Sequence, residues 1–476
     1  MTDASADDLV VVSNREPYSH TREDGEVVVS RSAGGLTTAL DDVASALGAT
    51  WVAWGSGDAD FEDGIVDDRG FVTADEPGVD YSLRRIPLSD AQVDGYYYGY
   101  SNQGLWPLAH FETGHVRFDR DQWETYRDVN ETFADAVFRV AGTNVWIHDY
   151  HLALAPQYLR AEESTDYRLV QFWHIPWPSP DVFGICPQRE AILRGLLAND
   201  AVGFHVEPFR QRFLDCVAEF LDDAVVDRTV GSVRYRGRQT ETYVVPAGAD
   251  ADSIRRTLEE PDASRPSPLD HPAVDAAGTL AVGVDRLDYA KGIVERLDAL
   301  AYALSTYPDL QGDLTYLQVG SRTRERIPAY SQYQRTIRER IDSLNRTFGT
   351  ADWRPVVSTT ETFSRESVLR MLQAADVCLV SSRRDGLNLV APEFVAASES
   401  RPGVLLLSEF AGAAESLGSA ATLVNPFDTE GFGDAIAEAV DLPETQRRER
   451  TDALLAAVKR TSLNEWVRTH LELFEE

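Results

Sequence analysis

Lys291 is one of two lysines in a chain that carries 45 Lys and Arg residues; the other, Lys459, lies in the helical pattern LLAAVKRTSLNEW. It stands near the end of GVDRLDYAKG, residues 283–292, which reads as a strand, a loop and the approach to a helix. Arg286 and Lys291, five apart in that loop, could converge on a diphosphate, with the dipole of the following helix assisting. The common phosphate loops do not fit. Lys291 stands between Ala290 and Gly292 and Lys459 between Val458 and Arg460, so Gly-Lys-Ser/Thr is absent, and no G-x-G-x-x-G follows a strand. The alternative is a structural loop in which both cations pair with Asp285 and Asp288.

A second strand end, SSRRDGLNLVAPEF (381–394), combines a charged turn, a glycine and a helix start near Pro392. Backbone N–H groups there could cradle a ligand while Asp385 and Glu393 accept from sugar hydroxyls; a capped strand-to-helix turn is the plain alternative. WIHDYHLALAPQYLR (146–160) and FWHIPWPSPDVFG (172–184) are further strand ends. His148 and His151 have no third ligand at usable spacing, which argues against a metal. Asp149 or His174 could orient hydroxyls or move a proton, although histidines at strand ends are often ordinary core residues. Near the N-terminus, VVVSNREP sets Arg15 at the end of the first strand, and RSAGGLTTAL puts Gly34 and Gly35 at a helix start, where a phosphate can approach backbone N–H closely. YYYGYSNQGLWP (96–107) reads as an aromatic loop that offers a sugar an apolar face or packs two lobes together.

These segments need strands to end beside one another. Apolar runs recur at 9–13, 144–148, 168–175, 242–248, 279–284, 314–320, 377–382 and 403–409, separated by amphipathic patterns such as GIVERLDALAYALSTY and SRESVLRMLQAAD. Alternating strand and helix implies α/β layers with parallel sheets. The clearest seam is EEPDASRPSPLDHPAVDAAG (259–278), rich in Pro, Asp and Ser, which predicts two Rossmann-like lobes with a ligand cleft at the carboxyl ends of their strands and a hinge for closure.

The 476 residues exceed one ordinary core, and 78 acidic against 45 basic residues leave a net charge of −33. At molar salt the Debye length is only about 3 Å, so an acidic, lysine-poor surface suggests a cytosol of very high salt. The charge argues against nucleic acid or an anionic membrane as partner, and it makes pairs of carboxylates uninformative. Three cysteines, Cys186, Cys216 and Cys378, form no framework and fit a reducing compartment. Without a basic leader or an apolar run approaching about 20 residues, a soluble cytoplasmic protein is expected.

Taken in order, SNR, SAGGL, YxxxSNxxLWP, HDYHL, HIPWPSP, DRLDYAKG, SRRDGLNLVAPEF, FAGAAESL and VNPFD, spread over residues 13–428, resemble the trehalose-6-phosphate synthases, retaining glycosyltransferases of the two-lobe GT-B type. The resemblance implies transfer of glucose from UDP-, GDP- or ADP-glucose to glucose 6-phosphate in a cleft between facing lobes, with no metal and no further cofactor. It implies that Arg286 and Lys291 hold the diphosphate and that the Gly35 N–H approaches it. Asp385 would bind donor-sugar hydroxyls, with the backbone of Leu387, Asn388 and Leu389 as cradle, Glu393 on the ribose and His174 beside the sugar. Arg286, Lys291, His174 and Asp385 would thus be the catalytic group. Arg15, Tyr97, Trp106 and Arg324 would clasp the 6-phosphate, and Asp149 would bind the acceptor sugar. Pro392 replaces a usual lysine and His205 a usual glutamine, both on the expected donor side. Two rivals are a glucosylglycerol-phosphate synthase using glycerol 3-phosphate and an inactive sugar-phosphate sensor; Asp149 and the aromatic segment favour a sugar acceptor, and the intact diphosphate pair favours an enzyme. The expected domains are residues 1–250, the acceptor lobe, and 251–455, the donor lobe, with a final helix over 456–476 crossing back to the first. Small-molecule substrates are the expected partners, and self-association is left open.

Overall fold

Runs of Val, Ile, Leu and aromatic residues without polar alternation suit strands covered on both faces, as parallel sheets require. The computed structural model describes residues 8–31, 35–74, 79–161, 165–261 and 267–475. The chain divides into two units, Met1–Pro246 with Val467–Glu476 and Ala247–Trp466. In the first, the strands Leu9–Arg15, Thr50–Trp54, Ser82–Ile86, Asn144–His148, Arg168–Trp173 and Ala201–Phe204 are numbered 1 to 6 in chain order. They lie side by side as 3-2-1-4-5-6, all parallel, and Arg238–Val244 extends the array. Ser232–Tyr235 and Ala224–Asp227 add an antiparallel end. A separate hairpin pairs Tyr18–Glu23 with Glu26–Arg31.

The second unit repeats the arrangement. Its strands Thr279–Arg286, Leu314–Ser321, Val356–Thr359, Val377–Val380, Val404–Ser408 and Thr422–Val424, numbered likewise, also run 3-2-1-4-5-6 and are all parallel. This is the doubly wound order of Rossmann-like sheets, whose connections reverse direction between strands 1 and 4. Under the second sheet, Leu297, Leu300 and Leu304 of helix Ile293–Thr306 pack with Leu314, Tyr316, Leu406, Phe432 and Ile436. Each such side chain contributes about 1.5–3 kcal/mol of burial energy.

Several boundaries differ from the expected ones. The unit boundary falls between Pro246 and Ala247. The Pro- and Asp-rich stretch at 259–278 therefore lies inside the second unit: its residues 262–266 are outside the described residues, and the rest forms short turns at Pro268–Asp270 and Pro272–Asp275. The expected strand at 242–248 runs instead from Arg238 to Val244, because the pairing with Ala201–Phe204 ends before Pro246, which has no N–H to give. The C-terminal stretch is two helices, Glu444–Arg460 and Leu463–Glu472, rather than one from 456. The chain turns at Thr461, whose carbonyl lies so close to Gly248 that a Cβ there would sit 1.3 Å from it. In the first unit, the Leu473 carbonyl accepts from Arg168 Nε at 2.9 Å and His470 packs 4.6 Å from Trp146.

The aromatic segment is not a loop. Val93–Leu105 winds as a π-helix, closed by the Trp106 N–H donating to the Ser101 carbonyl. Asn102 Nδ2 and Gln103 Nε2 donate to the carbonyls of Tyr97 and Tyr98, each five residues back, at 2.8 and 3.0 Å. Gly95, Gly99 and Gly104 face the chain at Arg117–Thr125: a Cβ at each would come within 2.6–2.8 Å of Thr125, Gln122 or Phe118. π-Helical turns are rare and concentrate at functional sites, and this one presents Tyr97 beside Arg15.

Candidate active site

In the second unit, strand 1 ends at Arg286 and strand 4 at Val380, so the chain segments that follow emerge on either side of the switch point. Asp288 caps the Lys291 turn, accepting from the Ala290 N–H at 3.0 Å. Gly292 then turns the chain at φ +64° into helix Ile293–Thr306, and a Cβ there would lie 2.0 Å from the Ser381 carbonyl, so only glycine permits the approach. Across the gap, Lys291 Nζ meets Asp385 Oδ2 at 2.5 Å, and the same oxygen accepts from Ser382 Oγ at 3.0 Å and Asn388 Nδ2 at 3.2 Å. Asn388 sits at φ +77° and is buried, as is Leu387, while Leu389 precedes helix Val390–Ala397. The loop is pinned to FAGAAESL by Asp385 N–H on the Phe410 carbonyl (3.1 Å) and Ala413 N–H on the Leu387 carbonyl (2.8 Å). Such a turn at a helix start, with a cation and a carboxylate, suits a phosphorylated sugar.

One buried guanidinium holds the two sides together. Arg296 donates to Asp285 Oδ2 (2.7 Å), Ser381 Oγ (2.9 Å) and Tyr316 OH (2.8 Å). Burial pushes the Asp285 carboxyl up, and Arg296 and Lys291 pull it back. Glu393, on the first turn of helix Val390–Ala397, is raised by burial and opposed by Arg365, 3.6 Å away. Arg286 is exposed at the strand end. Arg324, at φ +49°, is buried with Nη1 2.6 Å from Tyr330 OH and 3.4 Å from Asp288 Oδ2.

The switch point of the first unit carries rings and a carboxylate instead. Arg15 Nη2 donates to Tyr97 OH at 2.8 Å, with Trp54 against the same ring at 5.8 Å and His151 stacked on it at 5.8 Å. Asp149 Oδ2 is 3.9 Å from His151 Nδ1, and Oδ1 accepts from the His174 N–H at 3.3 Å. Asp149 has φ 71°, ψ 175°, a conformation normally reserved for glycine, and its N–H is held by the Phe172 carbonyl at 2.8 Å. Backbone strain of this kind clusters at functional sites. His174 Nε2 lies 3.1 Å from His148 Nδ1, and His205 and His470 surround the pair. Burial first, then the neighbouring imidazoles, lowers His174 well below the usual histidine value; burial and His470 do the same to His148. Both rings are therefore neutral near pH 7. Trp106 lies one layer further in, against His110 and Tyr150. Gly35 opens helix Gly35–Leu47, and Gly34 is outside the described residues.

With this geometry in hand, the sequence profile described as Glycosyltransferase family 20 matches residues 7–476. The chain belongs to glycosyltransferase family 20. An alpha,alpha-trehalose-phosphate synthase [UDP-forming] 2 of Aspergillus niger is 34% identical over 467 residues, covering 96% of this chain and 95% of its own. The 56 kDa subunit of the corresponding Saccharomyces cerevisiae enzyme is 32% identical, covering 98% of this chain and 94% of its own. Among solved structures, the UDP-forming synthase of Burkholderia vietnamiensis superposes with a TM-score of 0.87 at 30% identity, covering 98% and 96% of the two chains. The Escherichia coli structure described as bound with UDP-2-fluoro glucose gives 0.85 at 29%, covering 98% of each. These matches show the resemblance read from the motifs and make the chain a glycosyltransferase.

Within this family 20 chain, the structure joins Lys291, Asp385 and Asn388 into one group and Arg15, Tyr97, Asp149 and His174 into another. The alternative pairing of Lys291 with Asp285 or Asp288 does not occur among the described residues: Asp285 takes Arg296, Asp288 takes Arg324 and Lys291 takes Asp385. Pro392 lies in helix Val390–Ala397 of the second unit, whereas His205 belongs to the histidine group of the first. Trp54, Arg296 and Ser382 were missed. Trp54 ends the short strand TWVAW, which no motif flags, and Arg296 is masked by its place in an ordinary amphipathic helix. No group of three or more His, Cys, Asp or Glu able to hold a metal occurs among the described residues. Among the same residues, no helix is long and apolar enough to cross a membrane.

Proposed function

We propose that this family 20 glycosyltransferase forms trehalose 6-phosphate, with retention at the anomeric carbon, from UDP-glucose and glucose 6-phosphate, in a cytoplasm of high salt and without a metal. The observation that carries the reading is the Lys291–Asp385 pair at the switch point of the second sheet. A single ammonium there can turn from carboxylate to diphosphate as the donor enters, leaving Asp385 to accept from the sugar hydroxyls. As the glycosidic bond breaks, negative charge grows on the leaving diphosphate. Lys291 and Arg286 stabilise that charge most in the transition state, where it lowers the barrier. The backbone of Leu387, Asn388 and Leu389 would cradle sugar and phosphate, Glu393 the ribose, and the Gly35 N–H the diphosphate.

For the acceptor, Arg15 and Tyr97 take the 6-phosphate, with Trp106 behind them and Arg324 as a further cation, and Asp149 orients the sugar. His174, neutral, can donate or accept a hydrogen bond at the donor sugar without adding charge. The departing phosphate oxygen can take the acceptor hydroxyl proton, so no protein base is needed. The UDP-forming relatives support UDP-glucose as donor, and the Burkholderia xenovorans structure described as in complex with glucose-6-phosphate, TM-score 0.88 at 28% identity, supports the acceptor.

The test is to incubate the purified chain in molar KCl with UDP-, GDP- or ADP-glucose and with glucose 6-phosphate or glycerol 3-phosphate, with and without a chelator, and to identify the product by mass and NMR. Trehalose 6-phosphate formed fastest from UDP-glucose, indifferent to chelator, is expected. A glycerol product, or none from any pair, would replace the reading.

A further inference from the structure

The residue after Arg15 is a glutamate with no place in the reaction above. Glu16 is 4% exposed, and its Oε2 accepts from Arg85 Nε at 2.6 Å while Oε1 accepts from the Ser56 N–H at 2.8 Å. The same guanidinium, 1% exposed by residue, reaches Asp60 Oδ1 at 3.1 Å and donates to the Tyr18 carbonyl at 3.1 Å. Asp60, 0% exposed, accepts from the N–H of His20 at 2.7 Å and of Gly57 at 2.6 Å. One arginine and two carboxylates thus tie together three segments: the root of the hairpin Tyr18–Arg31, the turn after Trp54, and the third strand of the sheet. Where they meet, the pairing of strand 1 with strand 2 shifts register between Ser13 and Arg15, so that Arg15 comes opposite Trp54. Both residues touch the Tyr97 ring.

We propose that Glu16, Asp60 and Arg85 are positioning residues for acceptor binding: a buried clamp that carries a proton on Glu16 and aims Arg15 and Trp54 at the phosphate of the acceptor. The proposal rests on the acceptor role read for Arg15. Charge arithmetic favours the proton, because two ionised carboxylates on one guanidinium would add a net negative charge in a dry site beside a phosphate-binding arginine. In agreement, burial and the hydrogen bond that protonated Glu16 donates to Asp60 push the Glu16 carboxyl up to about 8, against the pull of Arg85. The other groups facing the trio are His20, with Nδ1 3.6 Å from Asp60 Oδ1, and Tyr18, whose ring lies 5.6 Å from the Arg85 guanidinium. Glu16 titrates higher folded than unfolded, so the stability it contributes is complete below its ordinary value of 4.5 and is lost as pH rises through about 8. Above that pH the clamp gains a charge and the aim of Arg15 loosens.

The experiment is the pH dependence of the acceptor KM, with donor KM and kcat alongside, between about pH 7 and 9.5, where glucose 6-phosphate is already fully ionised. For wild type the acceptor KM is expected to rise roughly tenfold while the donor KM holds, and the unfolding midpoint, followed from about pH 5, to fall until about pH 8 and then level off. Glu16→Gln, which keeps the neutral shape, should hold a low acceptor KM throughout; Glu16→Ala should start high and stay there. A flat wild-type curve, or a Glu16→Gln curve that follows wild type, overturns the clamp. Arg15→Ala with an unchanged acceptor KM would overturn the acceptor reading itself, and the clamp with it.

Discussion

Two sheets of one chain share a strand order and differ in what they hold at the same topological place. At the switch point of the second, ions meet: Lys291 on Asp385, Arg296 on Asp285, Arg324 on Asp288. At the switch point of the first, rings dominate: two imidazoles with lowered pKa packed on Trp146 and Phe172, Arg15 on the Tyr97 hydroxyl, and the Asp149 carboxylate on strained backbone. The fold therefore supplies a location, and the side chains decide whether it holds paired ions or stacked rings; under the proposed function the first would meet a departing diphosphate and the second an acceptor sugar.

If the ionic arrangement of the second unit is a balanced set, breaking it should cost most. Arg296→Leu leaves Asp285 buried without its guanidinium and is expected to lower stability by about 3–5 kcal/mol, whereas Arg296→Leu with Asp285→Leu should recover much of that. Denaturant midpoints measure both; equal losses would mean that the arginine matters for packing alone. Next in size is Lys291→Ala, expected to reduce kcat on the order of 10²-fold with little change in the glucose 6-phosphate KM. Lys291→Arg should fall well short of wild type if the site needs a compact ammonium rather than a planar fork. Steady-state rates decide: full activity in Lys291→Ala breaks the assigned role, and full activity in Lys291→Arg removes the need for a compact ammonium.

The strain at Asp149 gives a smaller, oppositely signed effect. Asp149→Gly relieves the backbone and is expected to hold or raise stability by about 1–3 kcal/mol while weakening acceptor turnover. Loss of stability in that variant would show that the carboxylate, through His151 and the His174 N–H, holds the loop rather than the substrate.

These contrasts show what could be read from the chain and what could not. Lys291 and Asp385 were each marked by position after a strand, yet they are 94 residues apart and meet only because strands 1 and 4 are neighbours. The contact of His148 with His174 depends likewise on the register that sets His148 beside Phe172. The structural alternative for Asp285 considered only the cations near it in sequence, whereas its partner is Arg296, one helical segment on, and Lys291 turns to Asp385. The π-helix escaped because its signal is glycine at 95, 99 and 104, spaced for the close approach of Gln122, Thr125 and Phe118, and that partner is invisible until the helices pack. Motifs carry the chemistry, and pairings carry the geometry.

The substitution with the smallest expected effect isolates the ring side of the comparison. His148 and His174 have folded pKa values depressed by burial and by neighbouring imidazoles, so the stability that they contribute is present above the ordinary histidine value near 6.5 and is lost as pH falls below it, where the unfolded chain takes up protons that the folded one refuses. Each such group adds a slope of about 1.4 kcal/mol per pH unit over that window. Unfolding midpoints at molar salt, measured from about pH 7 down to 5, should therefore fall, and His174→Asn should remove one proton from the linkage while leaving the high-pH plateau within about 1 kcal/mol. Salt screens exposed charges but hardly a buried imidazole, so the slope should persist from 1 to 3 M KCl, roughly where the acidic surface has ceased to respond. A slope that vanished with salt would move its origin from the histidine group to the carboxylates outside.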